Sequence, residues 1–203
     1  MNNIVIVNYG MGNLGSIENM IRRVGGVPMV SDQKEVISRA EKLILPGVGA
    51  FKHAVDELKR QELWDIIDKK VKSDKIPILC ICLGAQLVAE HSEEGDVAGF
   101  GWIKGRVVRF NTSTGIKIPH MGWNHADVKK KSHLFEDMYE APRFYFVHSF
   151  HFNGQDESDV LTTTTHGYEF ASSLEKENIW AVQFHPEKSH KFGMRMFENF
   201  LKI

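Results

Sequence analysis

The stretch Ile76-Pro77-Ile78-Leu79-Cys80-Ile81-Cys82-Leu83-Gly84-Ala85-Gln86-Leu87-Val88 decides the fold. Its first half is almost wholly apolar, and a strand of that kind belongs in a sheet covered on both faces. Gly84 then interrupts, and Ala85 to Val88 resume helical character. The stretch therefore reads as a strand-to-helix elbow with Cys82 at its tip.

The same alternation extends toward the amino terminus. Leu43 to Leu45 form a short apolar run ending in Pro46-Gly47, followed by helical patterning through Leu58 and again from Ile66 to Val71. Before it, Ile4 to Val7 and Val27 to Val30 flank Leu14, Ile17, Met20, Ile21 and Val24 at helical spacing, which is a βαβ rhythm. Beyond Gly101 the pattern becomes β-rich, with expected strands at Arg106 to Phe110, Phe144 to Phe150, Val160 to Thr165 and Ile179 to Phe184. A closing helix carries one apolar stripe of Phe192, Met196, Phe197, Phe200 and Leu201. No repeat or linker divides the chain. The expected fold class is α/β: a single domain over residues 1–203, built on an open, mostly parallel but mixed sheet flanked by helices, with additional strands in its second half.

With 25 Lys+Arg against 26 Asp+Glu, the formal net charge is -1, so the chain shows no electrostatic footprint for nucleic acid or an anionic membrane. The start, Met1-Asn2-Asn3 before Ile4, lacks the basic opening and long apolar run of a signal peptide, and a cytoplasmic protein is expected. Cys80 and Cys82 lie two apart in a strand-like run, where both would lean to one side, and they read as free thiols. Two cysteines and ten scattered histidines do not make the paired spacing of a zinc site, so no metal and no cofactor are expected.

A tight turn that exposes a nucleophile beside small residues is the logic of the hydrolase elbow. At a helix start the Cys82 thiolate is favoured, and the Leu83 N–H becomes a candidate oxyanion donor. The proton carrier is offered by Phe184-His185-Pro186-Glu187. Pro186 biases His185 toward extended backbone, so that Glu187, two residues on, can share its side and orient the imidazole. Both sets would sit at the carboxyl ends of strands, where open α/β sheets bind ligands. Pro46-Gly47-Val48-Gly49 adds two glycines that let N–H groups point into a pocket.

Cys82-Leu83-Gly84-Ala85-Gln86 with His185-Pro186-Glu187 resembles the two signatures of class I, triad-type glutamine amidotransferases, whose fold is flavodoxin-like. The resemblance implies a catalytic triad of Cys82, His185 and Glu187, an oxyanion hole from Leu83 and Gly49, and a glutamine pocket that includes Gln86 and Gly47. More narrowly, Tyr9 to Leu14, Pro119 to Asn124, Tyr145 to Ser149 and His185 to Ser189 are similar to the glutaminase subunit of imidazole glycerol phosphate synthase, nearly end to end. That family hydrolyses L-glutamine and passes ammonia to a barrel-shaped cyclase subunit in a heterodimer. Asn13, Trp123, Tyr145 and Lys188 are expected toward that shared interface and its ammonia gate.

The chain departs from the family at Cys80, usually Gly, at Ala85, usually Met, and at Asn8, often Asp. With Ser189 to Gly193, these changes are reminiscent of paralogues feeding ammonia to amidotransferases of surface-polysaccharide sugars, which stands as the alternative acceptor. A rival from another class comes from Gly10-Met11-Gly12-Asn13-Leu14-Gly15, which spells a dinucleotide fingerprint with Asp32 at about the right distance for a ribose contact. It leaves Cys82, His185 and Glu187 without a role.

Overall fold

The computed structural model describes residues 4–203; residues 1–3, where the reading of the amino terminus begins, lie outside them. Strands β1 (Ile4–Val7), β2 (Pro28–Ser31), β3 (Lys42–Leu45) and β4 (Ile78–Ile81) pair in the order β2-β1-β3-β4, all parallel. Each is reached from the last through at least one helix, as a parallel neighbour requires. The Ile179–Val182 strand extends this set in parallel beside β4. Beyond it Tyr168–Lys176, Val160–His166 and Asp127–Val128 complete the sheet as antiparallel members, so it is mixed, as expected.

The all-apolar strands are buried on both faces, and their alternation sorts residues into two layers. Ile78 and Cys80 of β4 pack with Leu58, Ile67 and Val71 from the helices Phe51–Arg60 and Trp64–Lys72. Leu79 and Ile81 pack on the other side with Ile17 and Ile21 of the helix Leu14–Arg23 and with Phe192, Met196 and Phe200 of the helix His190–Lys202. Each such side chain removed from water contributes roughly 1.5–3 kcal/mol. No helix among the described residues is long and apolar enough to cross a membrane.

Three expectations need correction. Cys80 and Cys82 do not share a side: Cys80 lies in the first layer and Cys82 in the second, because the chain leaves the strand at Ile81 and turns sharply at Cys82. The run Phe144 to Phe150 is two strands. Arg143–His148 pairs with His120–His125 as a separate ribbon, while Phe150–Asn153 joins Arg106–Arg109 in a small sheet, with Ser149 at the crossing. The nine-residue strand Tyr168–Lys176 was not anticipated, since Ser172 and Ser173 break its apolar pattern. Both serines are fully buried and share their hydroxyl hydrogen bonds with Thr162, at 2.8 and 2.7 Å, which removes the cost of burying them.

Candidate active site

The elbow is built from backbone. Cys82 donates its N–H to Val182 O at 2.8 Å, one residue past the end of β4, and then adopts φ 54, ψ −110. A non-glycine residue in that region stores strain of about 1–3 kcal/mol, held here by the sheet on one side and the turn on the other. Gly84 passes so close under β3 that a Cβ there would lie 2.0 Å from Leu45 O. The helix that follows is a single turn, Leu83–Gln86. The expected aid from a helix dipole is therefore small, since a macrodipole sums over aligned peptides.

His185 enters from the neighbouring strand. It lies three residues past Val182, is extended at φ −102, ψ 93, and donates its N–H to Tyr145 O at 2.9 Å. Glu187 lies in a one-turn 3-10 helix (Pro186–Lys188) and not in an extended segment, and from there its Oε1 accepts from His185 Nδ1 at 2.9 Å. The terminal helix clamps this turn, because Gly193 sits where a Cβ would be 1.8 Å from Pro186 O. With Nδ1 engaged, Nε2 is the nitrogen left for the cavity, and it makes no hydrogen bond among the described residues. Cys82 and His185 line the same cavity of about 370 Å³, together with Val48, Gly49, Leu83 and Gln86. A larger groove of about 780 Å³ near Arg109, Lys129 and His151 contains none of the triad candidates.

Burial disfavours the charged imidazolium of His185, but the facing Cys82 sulfur and the Glu187 carboxylate outweigh it and raise its pKa to about 9. The raised value sets a sign. Stability contributed by this ion cluster is complete below the unfolded value near 6.5, declines as pH rises through the window from 6.5 to about 9, and is gone above it. In ring-proton NMR we expect a His185 midpoint near pH 9 that moves lower in Cys82→Ala. An unmoved midpoint would mean that the sulfur is not its electrostatic neighbour.

The remaining candidates fall in two groups. Gly47 fits a slot where a Cβ would be 2.7 Å from Gly84 N, and Gly49 holds φ +104. The Leu83 N–H, expected as an oxyanion donor, donates to Gly47 O at 3.3 Å, so in this conformation the donor is occupied. Gly12, within the glycine run Gly10 to Gly15, packs against the Pro46 turn, where its Cβ would lie 3.0 Å from the Pro46 ring.

Trp123, Tyr145 and Lys188 form one outward cluster. The Trp123 ring stands edge-on to Tyr145 at 6.4 Å and is stacked on His190 at 5.4 Å, while Lys188 Nζ lies 5.7 Å above the Tyr145 ring. Trp123 is 44% exposed, and Met121, on the same face of the ribbon, 62%. Asn13 precedes the helix Leu14–Arg23, which contacts the Pro186–Lys188 turn, and its side chain makes no cap hydrogen bond.

Gln183 was missed, although a lone glutamine inside the apolar run Ile179 to Phe184 is a legible signal. It is fully buried between Gln86 and Cys82.

A cysteine at a strained elbow, facing a carboxylate-oriented histidine at the carboxyl edge of an α/β sheet, is the arrangement of a class built for nucleophilic acyl chemistry, and residues 5–203 match the family model "Glutamine amidotransferase class-I". The chain belongs to that family. Among its relatives, the imidazole glycerol phosphate synthase subunit HisH 2 of Methanococcus maripaludis is 49% identical over 199 residues, covering 98% of both chains. The protein of the same name from Pseudomonas aeruginosa is 42% identical over 200 residues, covering 98% of this chain and 99% of its own. Among solved structures, a glutamine amidotransferase superposes with a TM-score of 0.75 at 20% identity, over 98% of this chain and 97% of that one. PurLQS from Thermotoga maritima does so at 0.75 and 21%, over 99% and 98%. At those identities the structural likeness speaks for the fold.

Proposed function

We propose that this chain is the glutaminase subunit of an imidazole glycerol phosphate synthase, hydrolysing L-glutamine and delivering ammonia to a cyclase partner that makes imidazole glycerol phosphate and AICAR. The observation that carries the chemistry is the shared cavity of Cys82 and His185, with Glu187 on the far imidazole nitrogen. The Cys82 thiolate attacks the carboxamide carbon, and the C–N bond breaks as His185 protonates the departing nitrogen. Ammonia leaves and a thioester remains. Water, giving its proton to His185, then cleaves the thioester to glutamate and frees the sulfur.

The pathway reading rests on the near full-length similarity to relatives bearing that synthase name. Cys80 and Ala85, two of the departures that suggested a sugar acceptor, are fully buried and absent from the cavity lining, so neither favours that reading. Free ammonia in neutral water is mostly protonated and unreactive, a physical reason to dock the two subunits. The partially exposed apolar ribbon of Met121, Trp123 and Tyr145, flanked by Lys188 and lying next to the His185 turn, suits the docking face of such a heterodimer. The occupied Leu83 N–H supports a gated site, in which partner binding frees the donor by moving the Gly47–Gly49 backbone.

A glutamine-directed diazo-ketone analogue is expected to label Cys82, with labelling lost in Cys82→Ser and quickened by the partner and its ligand. Labelling that survives the serine substitution would rule out the assignment of the nucleophile.

A further inference from the structure

A chain of buried amides runs beneath the nucleophile. Gln183 follows the Ile179–Val182 strand, donates its N–H to Ser172 O at 2.9 Å and is fully buried. A primary amide out of reach of water costs several kcal/mol unless its donors and acceptor find partners. Here the Gln183 Oε1 accepts from Gln86 Nε2 at 2.9 Å, and its Nε2 lies 3.8 Å from Cys82 Sγ, in the longer range proper to sulfur. Gln86 Nε2 also donates to Phe150 O at 3.2 Å.

The direction of this chain is set at both ends. Phe150 O can only accept, so the nitrogen of Gln86 must face it; the same nitrogen meets the oxygen of Gln183, and the NH2 of Gln183 is thereby turned to the sulfur. A thiolate also only accepts. Donor and acceptor senses therefore agree along the whole path, with no end free to flip.

We propose that Gln183 holds the Cys82 thiolate by donating to Sγ and, through its bond to Gln86, sets the hydrogen-bonding sense of the glutamine pocket. The inference rests on Cys82 being the nucleophile. Gln86 lines the cavity, and both hydrogens of its Nε2 are committed, so the group it offers a substrate is its carbonyl oxygen. That acceptor suits an N–H of the incoming amino acid amide. A ligand presenting a carboxylate oxygen there meets a second acceptor and is rejected, as product release requires. One buried side chain thus serves both the attacking atom and the choice of ligand.

The test is the pH dependence of iodoacetamide alkylation at Cys82, followed by peptide mass, alongside kcat for glutamine. Gln183→Met removes both hydrogen bonds. Gln183→Glu keeps the shape and the acceptor for Gln86 but replaces the donor with a carboxylate. The alkylation midpoint is expected to rise by about one pH unit in the methionine variant and further in the glutamate variant. At pH values below the midpoint kcat should fall about tenfold in step, recovering as pH is raised. A purely structural role would lower activity at every pH with the midpoint unmoved, and an unmoved midpoint in either folded variant overturns the proposal. Should Gln183→Met fail to fold, Gln183→Glu decides. If instead the parent protein is not alkylated at Cys82, or Cys82→Ser still releases glutamate, the functional reading fails and Gln183 is not at issue.

Discussion

Cys82→Ala is expected to lower glutamate release by at least about 10³-fold while leaving the partner's synthesis from added ammonium salts at its normal rate. The first effect follows because Cys82 is the only thiol lining the cavity among the described residues: Cys80 is fully buried in the opposite layer, and alanine at position 82 cannot form the thioester. The second follows because the substitution removes one sulfur from an elbow held mainly by backbone hydrogen bonds to Val182 and from Gln86, which alanine retains. The cluster of Trp123 and Tyr145, proposed as the docking face, is untouched. Assaying product formation with glutamine and with ammonia in parallel separates the two. Retained glutamine use would remove Cys82 from the mechanism, and loss of both activities would mean that the substitution had broken the complex.

Gly84→Ala should be strongly damaging for a change of one methyl group. By helix propensity alone it would stabilise, since alanine is favoured over glycine by about 1 kcal/mol in a helix interior. Sterics override this. The added Cβ would lie 2.0 Å from Leu45 O and 2.9 Å from Leu45 C, and neither belongs to a side chain that could swing away. Either β3 or the elbow must move, and both belong to a tightly packed core. A loss of about 1–3 kcal/mol or more is expected in a denaturation experiment. Glutamate release should fall by about 10²-fold even in the folded fraction, because a shift on the order of 1 Å displaces Cys82 from His185. An unchanged melting temperature would show that the elbow has slack that the packing denies.

Much of this was readable along the chain, for reasons that can be named. The strands Ile4–Val7, Lys42–Leu45 and Ile78–Ile81 are short and almost wholly apolar because both of their faces meet helices, and that pattern leaves few alternatives. Cys82, His185 and Glu187 stood out because reactive residue types occur where a strand ends and a glycine or proline follows. The strand Tyr168–Lys176 stayed hidden because its buried serines are satisfied by a threonine on another strand, a pairing local periodicity does not contain.

The amino-acid order by itself determined the layered α/β arrangement, the position of Cys82 at an elbow and that of His185 just past the end of an apolar strand, since each depends on neighbours within a few residues. Tertiary structure alone decided that Cys80 and Cys82 part to opposite layers, that the Leu83 N–H is taken by Gly47, and that Gln183 lies beneath the sulfur. Those outcomes depend on which atoms from distant segments arrive at hydrogen-bonding distance, and that is settled by the packing of the sheet.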